Sequence, residues 1–123
     1  MFDEIPLPLN WPVYVSHAES SAYACWAGKL LPTEAQWHRA AFGVTDLVGN
    51  GWEWTSTPFA PFAGFEAFPF YRGYSADFFD GKHYVMKGGS ARTAACMLRR
   101  SFRNWFQPHY QYVYAGFRCV SPL

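Results

Sequence analysis

Residues 101–110, Ser-Phe-Arg-Asn-Trp-Phe-Gln-Pro-His-Tyr, bring an amide, an indole, phenyl rings, an imidazole and a phenol into one short stretch. Ring walls with a few fixed polar groups suit a small amphiphilic ligand. Ring faces also attract a quaternary ammonium group. The plainer alternative packs Phe102 and Trp105 into the core and leaves the rest as a polar loop. A second cluster is Asp46-x-x-Gly49-x-Gly51-x-Glu53. Hard cations such as calcium take carboxylate and carbonyl oxygens from a sharply turned loop, and glycines permit that turn. Spacing alone favours a simpler reading, a strand with a glycine bulge and two surface acids. His17, His38, His83 and His109 form no pair at metal-binding spacing, and Cys96 has no neighbouring base or second thiol. Neither a local transition-metal site nor a cysteine nucleophile is predicted from them.

The elements that must position these groups follow from capping and periodicity. Pro6, Pro8 and Pro12 forbid a helix at the start, and Pro12 to Val15 reads as a short strand. Ser16 with Glu19 forms a capping box for a first helix, with Ala18, Ala22, Cys25 and Trp26 on its expected buried face and Gly28 at its end. Thr33 with Gln36 opens a second helix, whose buried stripe is Trp37, Ala40 and Ala41 and which Gly43 ends. Val44 to Thr57 is strand-like. Residues 58–81 are a long irregular run of Pro, Gly and aromatics, of a length usually functional or wrapped over a core. His83 to Lys87 reads as a strand, Gly88-Gly89-Ser90 as a turn or bulge, and 101–106 and 112–120 as the last two strands.

Composition limits the fold and the function. The chain has 123 residues, of which 26 are Phe, Trp or Tyr and only 15 are Leu, Ile or Val. Half are hydrophobic and 15% charged, which excludes intrinsic disorder. So few aliphatic residues argue against a helix bundle, and 10 Gly with 9 Pro point to a loop-rich α+β domain. No apolar run approaches the roughly 20 residues that span a bilayer. The start lacks the basic residues of a secretory signal, so a soluble cytoplasmic protein is expected. Cys25, Cys96 and Cys119 are expected to be reduced and mostly buried.

The net charge of +1 hides an asymmetry. Residues 1–80 hold all nine acids with Lys29, Arg39 and Arg72, whereas residues 81–123 hold seven bases and no acid. Pairing of the two halves within one folded unit is the first expectation, and an anion site the second. Nucleic acid is not favoured as a partner, because the sequence pI is only about 7.7.

Four blocks taken in order resemble the formylglycine-generating-enzyme, or sulfatase-modifying-factor, domain. They are Leu31-Pro32-Thr33-Glu34-Ala35-Gln36-Trp37, Asp46 to Thr55 (DLVGNGWEWT), Lys87-Gly88-Gly89-Ser90 and Ala115-Gly116-Phe117-Arg118-Cys119. The resemblance spans about residues 13–120 and implies a C-type-lectin-like fold. It also makes Asp46, Gly49, Gly51 and Glu53 a candidate calcium site. The motifs around Pro61 to Phe65, Tyr71 to Gly81 and Ser101 to Trp105 are similar to the C-terminal domain of ergothioneine-biosynthesis sulfoxide synthases. Those enzymes use non-haem iron(II) and dioxygen to join a cysteine sulfur to trimethylhistidine. The resemblance implies that Tyr71, Asn104 and Trp105 line the trimethylhistidine pocket. Phe106 and Tyr110 stand where members using γ-glutamylcysteine carry an acid and an arginine, which implies free cysteine as the thiol.

Three departures shape the expected function. Formylglycine generators bind copper through a cysteine pair beyond the Gly-Gly-Ser block, and here only Cys96 lies in that region. The sulfoxide synthases hold iron on histidines of a separate N-terminal helical domain, which is not expected within this chain. The family also usually has a longer segment between the second helix and the Asp-Leu-Val-Gly block, where Phe42-Gly43 here runs almost directly into Val44-Thr45. The expectation is therefore a single abbreviated domain over residues 1–123. It would supply the substrate pocket and depend on a separate iron-binding domain for catalysis. The alternative is a non-catalytic lectin-fold module that binds another ligand or a protein.

Overall fold

A computed structural model describes residues 3–41, 43 and 49–122. Two short helices flank a small sheet, an α+β arrangement: α1 (His17–Trp26), α2 (Glu34–Ala40), β1 (Gly51–Pro58), β2 (Tyr84–Gly89), β3 (Asn104–Phe106) and β4 (Ala115–Gly116). Single 3-10 turns at Arg72–Tyr74, Ala76–Phe78 and Ala95–Met97 punctuate the loops. The sheet order is β3-β2-β1-β4, antiparallel except for the parallel β1–β4 edge. No helix among the described residues is long and apolar enough to cross a membrane.

Both helix starts follow the sequence. Ser16 Oγ accepts from the Glu19 amide while the Ser16 amide donates to Glu19 Oε2 at 2.7 Å, and Thr33 and Gln36 repeat the exchange for α2. Gly28 ends α1 in the left-handed region, at φ +64, which a side chain would disfavour.

The buried face of α1 differs from expectation. Ala18, Ala22, Cys25 and Trp26 are exposed, and His17, Ser20 and Ala24 are buried instead. Here tertiary fit overrides hydrophobicity. The sheet presents the large rings of Trp54 and Tyr84, so the helix meets them with two small residues and one flat imidazole. Ser20 Oγ satisfies itself on the His17 carbonyl at 2.8 Å. In α2, Trp37 is buried as expected, while Ala40 and Ala41 are only partly covered.

Four other expectations are corrected. Pro12 to Val15 forms no strand and is tied to β4 by the Val15 amide donating to the Ala115 carbonyl at 2.8 Å. Gly88 and Gly89 form no turn but continue β2, paired with Trp52 and Gly51. A Cβ at Gly89 would stand 2.4 Å from the Leu98 side chain, so the strand needs glycine for close packing. Cys25 and Cys96 are exposed and Cys119 half-buried; all three are free thiols. The last two strands shrink to β3 and β4, and among the described residues beyond β4 the chain pairs again only at an isolated bridge between Val120 and Leu30.

Register assigns the two faces of the sheet. Trp54 pairs with Met86, Met86 with Asn104 and Tyr84 with Phe106, so these share the α1 face. There Ala24, Leu31, Trp52, Trp54, Met86 and Ala115 form the apolar core. His17 stacks on Tyr84 at 3.8 Å, and its Nε2–H donates to the Thr55 carbonyl at 3.2 Å. Glu53 pairs with Lys87 and Val85 with Trp105 on the α2 face.

That second face is built on charge. Glu53 accepts Trp37 Nε1–H at 2.8 Å and two bonds from Arg118 at 2.7 and 2.6 Å. Lys87 is 1% exposed and donates to the carbonyls of Arg100 and Phe102 at 2.6 and 2.7 Å, with Glu34 at 3.7 Å. Burial lowers the Lys87 pKa, as does the nearby Arg103, against the opposing pull of Glu34.

Two outcomes follow. Burial holds the His17 pKa below its ordinary value, against the Thr55 hydrogen bond that raises it. The unfolded chain then binds the proton more readily, so stability falls as pH drops through about 6.5 and below. Thermal midpoints between pH 7.5 and 5.5 should fall more steeply in the wild type than in His17→Asn; equal slopes would assign the effect elsewhere. Lys87→Met should cost about 2–4 kcal/mol in urea unfolding, since two buried carbonyls lose their donor. A loss below about 0.5 kcal/mol would show that water replaces those bonds.

Candidate ligand-binding site

The carbonyls held by Lys87 belong to the segment entering β3, and this segment forms one wall of a cavity of about 400 Å³. Trp105 points to the α2 face and stacks flat on Phe59, with ring centres 4.2 Å apart and planes within 8°. Phe59 leans on Phe79, and Phe79 meets Phe65 edge-on at 5.3 Å. Tyr74, Phe62 and Pro61 of the irregular segment line the same cavity, together with Arg99, Ser101 and Arg103 of the segment entering β3. The long irregular run thus wraps over the sheet and supplies most of the ring surface.

Arg103 anchors the junction of the two walls. Its Nε and Nη2 donate to the two oxygens of Glu34 at 2.8 and 2.9 Å, and its Nη1 donates to the Ala60 carbonyl at 2.9 Å. The guanidinium carbon lies 4.8 Å from the Phe59 ring centre and 4.2 Å from that of Phe62. This fork geometry is specific to arginine, which pairs two oxygens and stacks on rings at once. Glu34 comes from the first turn of α2, so the helix, the sheet and the irregular segment meet at one ion pair.

The residues singled out from sequence divide between the two faces. Trp105 lines the cavity. Tyr71 is exposed and lies 5.8 Å, ring to ring, from Tyr74, which lines it. Strand alternation sends Asn104 and Phe106 to the α1 face. The Asn104 amide oxygen accepts from the Trp105 backbone at 3.0 Å, and Phe106 stacks on Tyr110 at 4.4 Å. Phe59, Tyr74, Phe79, Arg99 and Arg103 were not singled out. Tyr74, Phe79 and Arg103 lie inside the motifs that carry the resemblance, so a signal for them was present. Phe59 carried none, because its role comes from its place just past β1, where its amide donates to the His83 carbonyl at 2.7 Å and its ring meets Trp105.

The candidate calcium site has a different outcome. Asp46 lies outside the described residues. The Gly49 amide donates to the Gly89 carbonyl, Gly51 pairs in the sheet, and both Glu53 oxygens serve Arg118. Glu53 is therefore a structural anion, and calcium is not carried further. Among the described residues no three His, Cys, Asp or Glu side chains converge to hold a metal ion. The residues described do not fit an iron centre, and no step through iron is derived from them.

The sulfatase-modifying factor enzyme 1-like domain family matches residues 4–43 and 41–123, two stretches that meet after α2. A protein of Mycobacterium tuberculosis named hercynine oxygenase is 32% identical over 158 residues, covering 91% of this chain and 37% of its own length. That match is longer than the 123 residues of this chain, so the relative carries intervening segments that this chain lacks. Ergothioneine biosynthesis protein 1 of Neurospora crassa is 46% identical over 83 residues, 63% of this chain and 10% of the relative. The protein of that name from Schizosaccharomyces pombe is 50% identical over 76 residues, 61% of this chain and 10% of its own length. The chain spans little more than a third, or less, of these relatives. With nearly every residue of the chain matched in two consecutive stretches, it belongs to the sulfatase-modifying factor enzyme 1-like domain family.

Proposed function

We propose that this chain is the substrate-pocket domain of an ergothioneine-type sulfoxide synthase, and that its ring-walled cavity binds hercynine, the trimethylated betaine of histidine. The observation that carries the reading is the cavity's chemistry. It is walled by Phe59, Phe65, Tyr74, Phe79 and Trp105, with arginines and no acid among the described residues that line it. Aromatic faces hold a trimethylammonium group without a hard counter-charge, which such a diffuse cation does not need. The size also falls in the range of small-molecule sites. The names of the relatives, which refer to hercynine and to ergothioneine, support the same class of ligand.

In this reading the domain contributes binding and orientation. Trp105 and its stacked partner Phe59 form a rigid platform, and the Glu34–Arg103 pair fixes the wall above it. The overall reaction joins a cysteine thiol to the imidazole of hercynine with dioxygen. Iron chemistry comes from residues beyond those described, on a helical partner domain. A C-type-lectin-like scaffold belongs to the same proposal. So does free cysteine as the thiol, because Phe106 and Tyr110 stack on one another and offer no charged pair to a glutamyl group.

Titration calorimetry tests the reading on the whole chain. Trimethylhistidine should bind weakly and saturably, Trp105→Ala should weaken it by about tenfold or more, and Trp105→Phe should keep most of it. With iron(II) added, the chain alone should consume no oxygen. No heat from trimethylhistidine, on protein whose thermal melt shows a cooperative transition, would remove the proposal.

A further inference from the structure

We infer that Arg99 is the carboxylate-reading residue of the cavity, so that the site selects betaines and amino acids over the corresponding amines. The inference rests on the reading of the cavity given above and adds the group that determines its selectivity. Two arginines line the cavity, and they are not equivalent. Arg103 is spent on Glu34 through two bonds and lies over the rings of Phe59 and Phe62. Its charge is neutralised before any ligand arrives. Among the described residues lining the cavity there is no acid, so Arg99 contributes a positive charge that Glu34, bound to Arg103, does not neutralise.

Its position is also preorganised. The Arg99 carbonyl accepts from the Phe102 amide at 2.9 Å, and its own amide donates to Met97. The buried Lys87 ammonium clamps the carbonyls of Arg100 and Phe102 from beneath. Leu98, the preceding residue, packs where a Cβ on Gly89 would stand. These contacts fix the backbone from which the Arg99 side chain reaches the cavity. A charge-assisted, bidentate bond to a carboxylate is the interaction for which arginine is best shaped. Rings for the ammonium and imidazole, with Arg99 lining the same cavity, form a dipolar site for a zwitterion.

The experiment compares trimethylhistidine with its decarboxylated analogue, trimethylhistamine, by calorimetry on the wild type, Arg99→Gln and Arg99→Lys. Arg99 is exposed, so these variants should fold normally. The wild type should prefer the betaine by about tenfold or more. Arg99→Gln should erase that preference by weakening the betaine alone, and Arg99→Lys should keep part of it. Equal affinity of the two ligands for the wild type would overturn the inference, as would an equal loss of both in Arg99→Gln. If trimethylhistidine does not bind at all, the reading of the cavity fails, and Arg99 is tested separately with 3-phenylpropionate against 2-phenylethylamine. An Arg99-dependent preference for the acid then sustains the inference, and no preference ends it.

Discussion

The ion pair between Glu34 and Arg103 is the constraint on which the candidate site depends. It joins residues 69 positions apart and ties the first turn of α2 to the strand that carries Trp105. Lys87 sits beside it, almost fully buried, and returns its charge to two backbone carbonyls as well as to Glu34. Buried charges of this kind add little net stability over an apolar core, but removing one partner is costly. Here they define where the irregular segment may lie, since Arg103 also holds the Ala60 carbonyl and the Phe62 ring. The α2 face of the sheet is thereby specified by charge, and the α1 face by apolar packing.

The lopsided charge of the sequence has its explanation in this geometry. Acids of the first part meet bases of the last part at Glu34–Arg103 and Glu53–Arg118, and α2 and β1 are the elements brought against the C-terminal chain. One of the remaining bases, Arg99, lines the cavity. The internal pairing anticipated from the sequence is thus present, and it leaves Arg99 for the anion site inferred above.

Much of the local structure was legible because it depends on neighbours in sequence. Both capping boxes, the glycine that ends α1, the burial of Trp37 and the irregular character of residues 58–81 follow from side chains reaching a few positions along the chain. The face of α1 was not legible. Ala22, Cys25 and Trp26 make the more apolar stripe, yet the rings of Trp54 and Tyr84 accept only the smaller profile of His17, Ser20 and Ala24. The Gly-Gly pair was misread for a related reason. Glycines signal a turn by default, but here they admit Leu98 close to a strand.

The sequence by itself determined the family, the α+β class and the presence of an aromatic, cation-friendly cluster, because motifs and composition are properties of residue types and order. Tertiary structure alone decided which of those residues share a cavity. Alternation along β3 places Trp105 on one face and Asn104 and Phe106 on the other, and only packing with α2 and the irregular segment turns the first face into a pocket. It also decided the roles of the arginines. Whether a guanidinium is neutralised or offered to a ligand depends on where the nearest carboxylate lies in space, and for Arg103 that carboxylate is nearly seventy residues away along the chain.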